Sequence, residues 1–307
     1  MVSEGTTAED SELVLALLRG AAPERADELA ALWRQFALNF DTIQDKPGFD
    51  IKGGAFGSVI FTPRTLHQIW LLGFAAWRAF EAYGGILQIL PALGLPYDAA
   101  MIADLPGQLE AELRFQAAIH DARALNQVHQ SEDFEWPAAV PLPSQQSFTS
   151  AAEEVTRDVT SIAGAFIFLH EVKHIVLTQS GTDPHEEELA CDQFAREFLL
   201  ENITAYASTS GKPSDRILAL RAMAVSVGLF VVLEITPVSS WRESESHPPL
   251  RKRWTAFLEP VPLPIDHWFW SFTTSLILAK LRHEHRGPEQ LDAADARGLC
   301  FEFINLL

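Results

Sequence analysis

The stretch FLHEVKHIVL, Phe168–Leu177, sets His170, Glu171 and His174 in the middle of apolar sequence. The preceding SIAGAFIFL is apolar on every helical side and IVL follows the second histidine, so the segment reads as a buried helix. Residues four apart on a helix share one face, a single turn apart. His170 and His174 can therefore present imidazole nitrogens to the same metal ion. Burying two imidazoles and a carboxylate without partners would cost on the order of several kcal/mol. A metal ion removes that conflict. In the H-E-x-x-H pattern the two histidines hold zinc, and the glutamate between them, here Glu171, is the general base toward water that the metal activates.

A third ligand lies a short way downstream. Asp183, Pro184 and Glu186 have the order of an N-cap, a first-turn proline and an N3 carboxylate, which predicts a new helix through EELACDQFAREFLLENI. On it, Glu188 and Asp192 are one turn apart. Glu188 can complete a His-His-Glu set with a fourth position open for water. Asp192 can accept the second ring N–H of a ligating histidine and so fix its tautomer. Glu186 and Glu187 sit in the first turn, where carboxylates favour the helix dipole. Glu187 stays open as an alternative ligand.

The combined spacing, H-E-x-x-H followed after thirteen residues by E-x-x-x-D, resembles the gluzincin metallopeptidases. The resemblance implies a zincin-like core, zinc on His170, His174 and Glu188, Glu171 as base, and Asp192 supporting the first histidine. Gluzincins commonly carry alanine where this chain has Cys191. That cysteine reads as a small buried residue, though a thiol beside zinc can ligate or oxidise.

Further on, SHPPLRKRWTAFL (Ser246–Leu258) is similar to the HPP-L-x-x-R segment of the CaaX prenyl-protease and HtpX family. There the histidine and the later arginine hold substrate and the developing oxyanion, roles that would fall on His247 and Arg253. A donor facing the metal stabilises charge growing on a scissile carbonyl. Without the zinc motif, His247 reads as a loop residue and Arg251–Arg253 as a solvated basic face. A chain of this length, with H-E-x-x-H near its middle and a late His-Pro segment, looks more like the phage-exclusion Lit-type peptidases. The matching motifs cover about Ser161 to Phe198 and Ser246 to Leu258. That resemblance implies an antiviral, abortive-infection endopeptidase acting on translation elongation factor Tu.

Composition bounds these readings. Of 307 residues, 23 are basic and 41 acidic, for a net charge of -18. Nucleic acid or an anionic membrane surface as main partner would need a basic face. Cys191 and Cys300 are the only cysteines. That is no disulfide framework, and a cytoplasmic location is the expectation. MVSEGTTAEDSE lacks the basic-then-apolar order of a signal peptide. The longest apolar run, Ala222–Leu233, is too short to span a bilayer, so no membrane insertion is expected.

The fold class expected is mainly α, with α+β character from one small sheet. Residues 1–12 read as disordered, 13–145 as a helical half with a strand or hairpin at 50–61, and 148–307 as the zinc-binding half. PERADELAALWRQFALNF reads as an amphipathic helix. Thr62 and Pro63 open another that should stop at Gly84–Gly85, with more helix over Leu105–Val128. Ser150 and Glu153 form a capping box for the helix that carries His170. Ser214, Pro248 and Asp266 open three later helices. His67, His120, His129, His267, His283 and His285 are scattered and carry no ligand spacing of comparable meaning.

The function this supports is zinc-dependent hydrolysis of a protein or peptide. Two alternatives stay open. One is a regulatory or binding protein with a structural zinc site, which would have no use for Glu171. The other is a metal-free helical scaffold in which the histidines pair with carboxylates.

Overall fold

The computed structural model describes residues 4–54, 57–145, 147–177, 183–242, 245 and 247–307, with side chains from residue 11 onward. Helices dominate. Two helices, α1 (Glu4–Ala21) and α2 (Ala26–Phe36), lead into strands β1 (Asn39–Thr42), β2 (Ile51–Gly53) and β3 (Ser58–Phe61). Helix α1 thus starts inside the stretch expected to be disordered. The sheet has the order β1-β3-β2, with β1 parallel and β2 antiparallel to β3. Strand β1 was expected to be the end of a helix. The chain leaves α2 through Ala37 in the left-handed region (φ 49°), and Phe40 then buries itself as the inward residue of a strand. Of the 50–61 segment read as strand or hairpin, residues 55 and 56 lie outside the described residues.

Thr62 is extended and its side chain accepts from Thr65 N, so the capping signal operates as read and Pro63 opens α3 (Pro63–Ala92). The expected stop at Gly84–Gly85 does not occur. Two glycines cost a helix about 1 kcal/mol each relative to alanine. Burying Leu87 and Leu90 beyond them is worth about 1.5–3 kcal/mol apiece, which decides the matter. A short strand and helix, β4 (Tyr97–Asp98) and α4 (Ala99–Ala103), precede α5 (Gln108–Ala124). Arg64 ion-pairs with Asp45 at 2.9 Å and donates to the carbonyls of Leu125, Val128 and His129, closing the end of α5.

Helix α6 (Ala151–Leu177) runs through the centre. Ser150 Oγ accepts from Glu153 N, while the Glu153 carboxylate reaches back to Thr149 N rather than to the cap itself. It packs on α1, α3, the sheet, and two later helices, α7 (Pro184–Leu200) and α9 (Ser214–Ile235), which flank α8 (Ile203–Ser210). Gly73 permits the α3 crossing: a Cβ there would lie 2.1 Å from Thr160 Oγ1. Phe40 and Phe61 stack edge-on against Phe168, with ring centroids 5.6 and 5.2 Å away. The sheet is thereby registered on α6 two residues before His170.

The chain closes with α10 (Leu250–Leu258), α11 (Trp268–His283), β5 (Gln290–Leu291), which pairs with β4, and α12 (Ala296–Ile304). Buried apolar residues form one cluster from Val14 to Leu307. Helices α6 and α9 are long and apolar enough to cross a membrane by length and composition; 61% and 78% of their apolar windows are buried within the protein. The run read as Ala222–Leu233 is therefore part of a longer helix. Arg221 on α9 is buried against Glu24 and donates to the Leu199 carbonyl, tying that helix to the turn before α2.

Candidate active site

Helices α6 and α7 bring together the residues that the spacing singled out. His170 and His174 lie on one face of α6, and their Nε2 atoms are 3.1 Å apart. Asp183 caps α7 through His185 N and Glu186 N, and this start places Glu188 one turn further in, facing both rings. Its two oxygens are 3.4 Å from His170 Nε2 and 3.3 Å from His174 Nε2. Each Nδ1 is engaged on its far side. His170 Nδ1 donates to Asp192 Oδ1 at 2.9 Å, and His174 Nδ1 donates to Glu187 Oε1 at 2.8 Å. With Nδ1 of each ring donating outward, loss of the Nε2 proton would leave a lone pair directed inward.

This arrangement fits a divalent metal. Two donors about 2.0–2.1 Å from a tetrahedral zinc ion lie about 3.3–3.4 Å apart, close to the separations found here. The sulfur of Cys191 is a further candidate donor, since the ligand atoms of His170, His174 and Cys191 lie within 4.8 Å of one another. Cys191 is fully buried, and burial pushes its thiol up to about 12. The role of Glu187 was not legible as such. A first-turn glutamate reads as a dipole partner, and only the position of α6 turns it toward His174.

Arg253 on α10 is 4% exposed. Its Nε and Nη2 donate to the two oxygens of Asp192 at 2.6 and 2.7 Å, and Nη1 lies 3.6 Å from Glu188 Oε2. Two of its three nitrogens are thus committed to Asp192. The resemblance implies contact with substrate; in the structure the guanidinium is bonded to Asp192 and also lines the cavity described below. His247, by contrast, is on the rim, its side chain 55% exposed and its Nε2 3.5 Å from Glu188 Oε1. Ser246, first residue of the segment that carried this resemblance, lies outside the described residues.

The titrations follow from burial and partners. Burial would lower His170 and His174, but bonds to Asp192 and Glu188, and to Glu188 and Glu187, raise them to about 10 and about 9. Burial would raise Glu188 and Asp192, yet the histidines and Arg253 hold both below the usual carboxylate range. Glu171 is different. Burial raises it, and the nearby histidines and the Gly53 N–H offset only part of that. Its Oε2 accepts from Gly53 N in β2 at 2.6 Å.

Glu171, Glu188, His170, His247 and Arg253 all line one cavity of about 380 Å³. The rest of its wall is largely apolar, from Phe49, Ile51, Val232, Ile235, Pro237 and Leu250. Strand β2 forms one side, so the strand expected near residues 50–61 reaches the site. His67, His120, His129, His267, His283 and His285 do not line it.

Comparison with curated proteins and with solved structures finds no match. A family model described as Peptidase U49 matches residues 59–273, the greater part of the chain and the span that holds His170, Glu171, His174, Glu188, Asp192, His247 and Arg253. The chain therefore belongs to the Peptidase U49 family, and its substrates are proteins or peptides.

Proposed function

We propose that this peptidase is a zinc-dependent endopeptidase with His170, His174 and Glu188 as metal ligands. The observation that carries the reading is the convergence of two Nε2 atoms and the Glu188 carboxylate at 3.1–3.4 Å, with each Nδ1 occupied by a separate carboxylate. Zinc held there would supply a Lewis acid that polarises the scissile carbonyl and makes water nucleophilic near neutral pH.

The chain's own residues do the rest. Glu171, anchored through one oxygen, uses the other to take a proton from the attacking water and deliver it to the leaving amine. Its raised pKa suits both halves of that transfer. His247 on the rim donates to the oxygen that gains charge. Arg253 acts through Asp192 and Glu188, holding the first histidine and the third ligand in place. Strand β2 lies at the sheet edge, where an extended peptide can add by main-chain pairing, and the apolar wall receives a hydrophobic side chain. The resemblance to phage-exclusion peptidases makes a cytoplasmic defence role, with elongation factor Tu as substrate, the finer hypothesis to test first.

The test compares zinc-loaded wild-type protein with Glu171→Gln on elongation factor Tu and on a quenched-peptide library. Cleavage lost in the variant, with its zinc retained, is the expected outcome. A variant that keeps zinc and keeps the biological effect would establish the binding-protein alternative instead.

A further inference from the structure

Strand β2 packs against helix α6, with Gly53 set against Glu171, His174 and Ile175. In the antiparallel ladder, Gly54 N donates to Ser58 O and Thr62 N donates to Asp50 O, with Lys52 opposite Ile60 between them. Pairing alternates along such a ladder. Lys52 therefore turns its main-chain groups toward β3, while Ile51 and Gly53 turn theirs to the outer edge. The Gly53 N–H on that edge is the group that meets Glu171 Oε2 at 2.6 Å. A Cβ at residue 53 would lie 2.7 Å from the Glu171 main-chain oxygen and 3.1 Å from His174 Cβ. The contact is too close for any residue but glycine without a shift of the backbone.

We propose that Gly53 is a positioning residue: its main-chain N–H aims Glu171, and the same strand edge offers the N–H and C=O of Ile51 to an extended substrate. The base and the docking edge are then one rigid unit, two residues apart on one strand. A peptide pairing with Ile51 is registered against Glu171 by the strand itself, so the enzyme selects extended segments with unblocked main-chain groups. This rests on the peptidase mechanism proposed above, in which Glu171 is the base.

Two measurements test it without a known substrate. The first is the Gly53 amide in ¹H–¹⁵N spectra of isotope-labelled, zinc-loaded protein. A bond to an ionised carboxylate places that proton downfield and slows its exchange, and Glu171→Gln, which leaves only a neutral and weaker acceptor, should move it upfield and speed its exchange. The second is binding of acetohydroxamate, a small chelator that coordinates zinc and also bonds the base. Gly53→Ala should retain one zinc yet weaken acetohydroxamate by about tenfold, the size of one lost bond to a charged group. The Gly53→Ala/Glu171→Gln double variant should bind no more weakly than Glu171→Gln alone.

An amide unmoved by Glu171→Gln, or strictly additive losses in the double variant, would overturn the proposal. If Gly53→Ala does not fold or loses zinc, the amide measurement decides alone. Acetohydroxamate binding that is insensitive to Glu171→Gln would instead count against the peptidase mechanism, with the Gly53 contact still judged by its own resonance.

Discussion

Replacing Asp192 with asparagine separates stability from metal affinity. Asp192 Oδ1 accepts from both His170 Nδ1 and Arg253 Nη2, and Oδ2 accepts from Arg253 Nε. An asparagine can keep one oxygen for His170, but its NH₂ then faces the Arg253 Nε–H, donor against donor. A buried guanidinium loses its nearest counter-charge. Breaking a buried pair in this way costs about 3–5 kcal/mol. For a chain of 307 residues that lowers Tm by roughly 5–8 °C. Arg253 Nη1, already 3.6 Å from Glu188 Oε2, then has Glu188 as its remaining carboxylate partner among the described residues, so it would compete with a bound metal for that group. Loss of a group that orients a ligand weakens metal binding by about 10–100-fold. The assay is a competition titration against a chelating dye, beside thermal unfolding in excess chelator. Adding Arg253→Met removes the stranded charge, so the double variant should regain much of the stability while metal affinity stays low. A double variant that recovers both, or an Asp192→Asn protein whose affinity stays within twofold of wild type, would refute the reasoning.

Three other outcomes are expected. Glu188→Ala should abolish stoichiometric zinc binding while Cys191→Ala retains it; the reverse pattern, read by elemental mass spectrometry, would make the thiol the third ligand. In metal-free protein, His170 and His174 are raised above the ordinary histidine value of 6.5, so the stability they lend is fully present below that value and is lost as pH rises through about 9 to 10. Zinc must displace those protons, so its affinity should climb across the same window with net proton release, measurable by calorimetry in buffers of different ionisation enthalpy. Burial alone would raise Asp45, but its bonds to Arg64 and Ser131 hold it below 3.8, so its contribution is present above that value and lost as pH falls through the lowered one. Arg64→Met should remove about 3–5 kcal/mol and flatten the acid limb of denaturant midpoints against pH.

The signals that proved legible in the sequence are those carried within one or two turns of chain. Thr62 with Pro63 and Asp183 with Pro184 start helices because a side-chain oxygen and a fixed φ act on the next three amides, whatever surrounds them. The facing of His170 with His174, and of Glu188 with Asp192, follows from helical pitch alone. That α6 and α7 then turn these two faces toward each other was inferred from the chemistry the four residues share. Tertiary packing decided the rest. Gly84–Gly85 would end an isolated helix, yet Leu87 and Leu90 have a core to enter. Glu187 looks like any first-turn carboxylate until α6 sets His174 beside it. Arg253 reads as part of a basic run, and only the crossing of α10 over α7 buries it on Asp192. The Gly53 contact joins positions 118 residues apart, through a main-chain N–H that every non-proline residue has. Sequence by itself determined the local geometry of each of these two pairs, because that geometry is set by neighbours in the chain. Of the groups that orient the histidines, Asp192 was readable from the E-x-x-x-D spacing, whereas Glu187 and Arg253 were decided only by the fold, because burial and charge act through space and are indifferent to sequence distance.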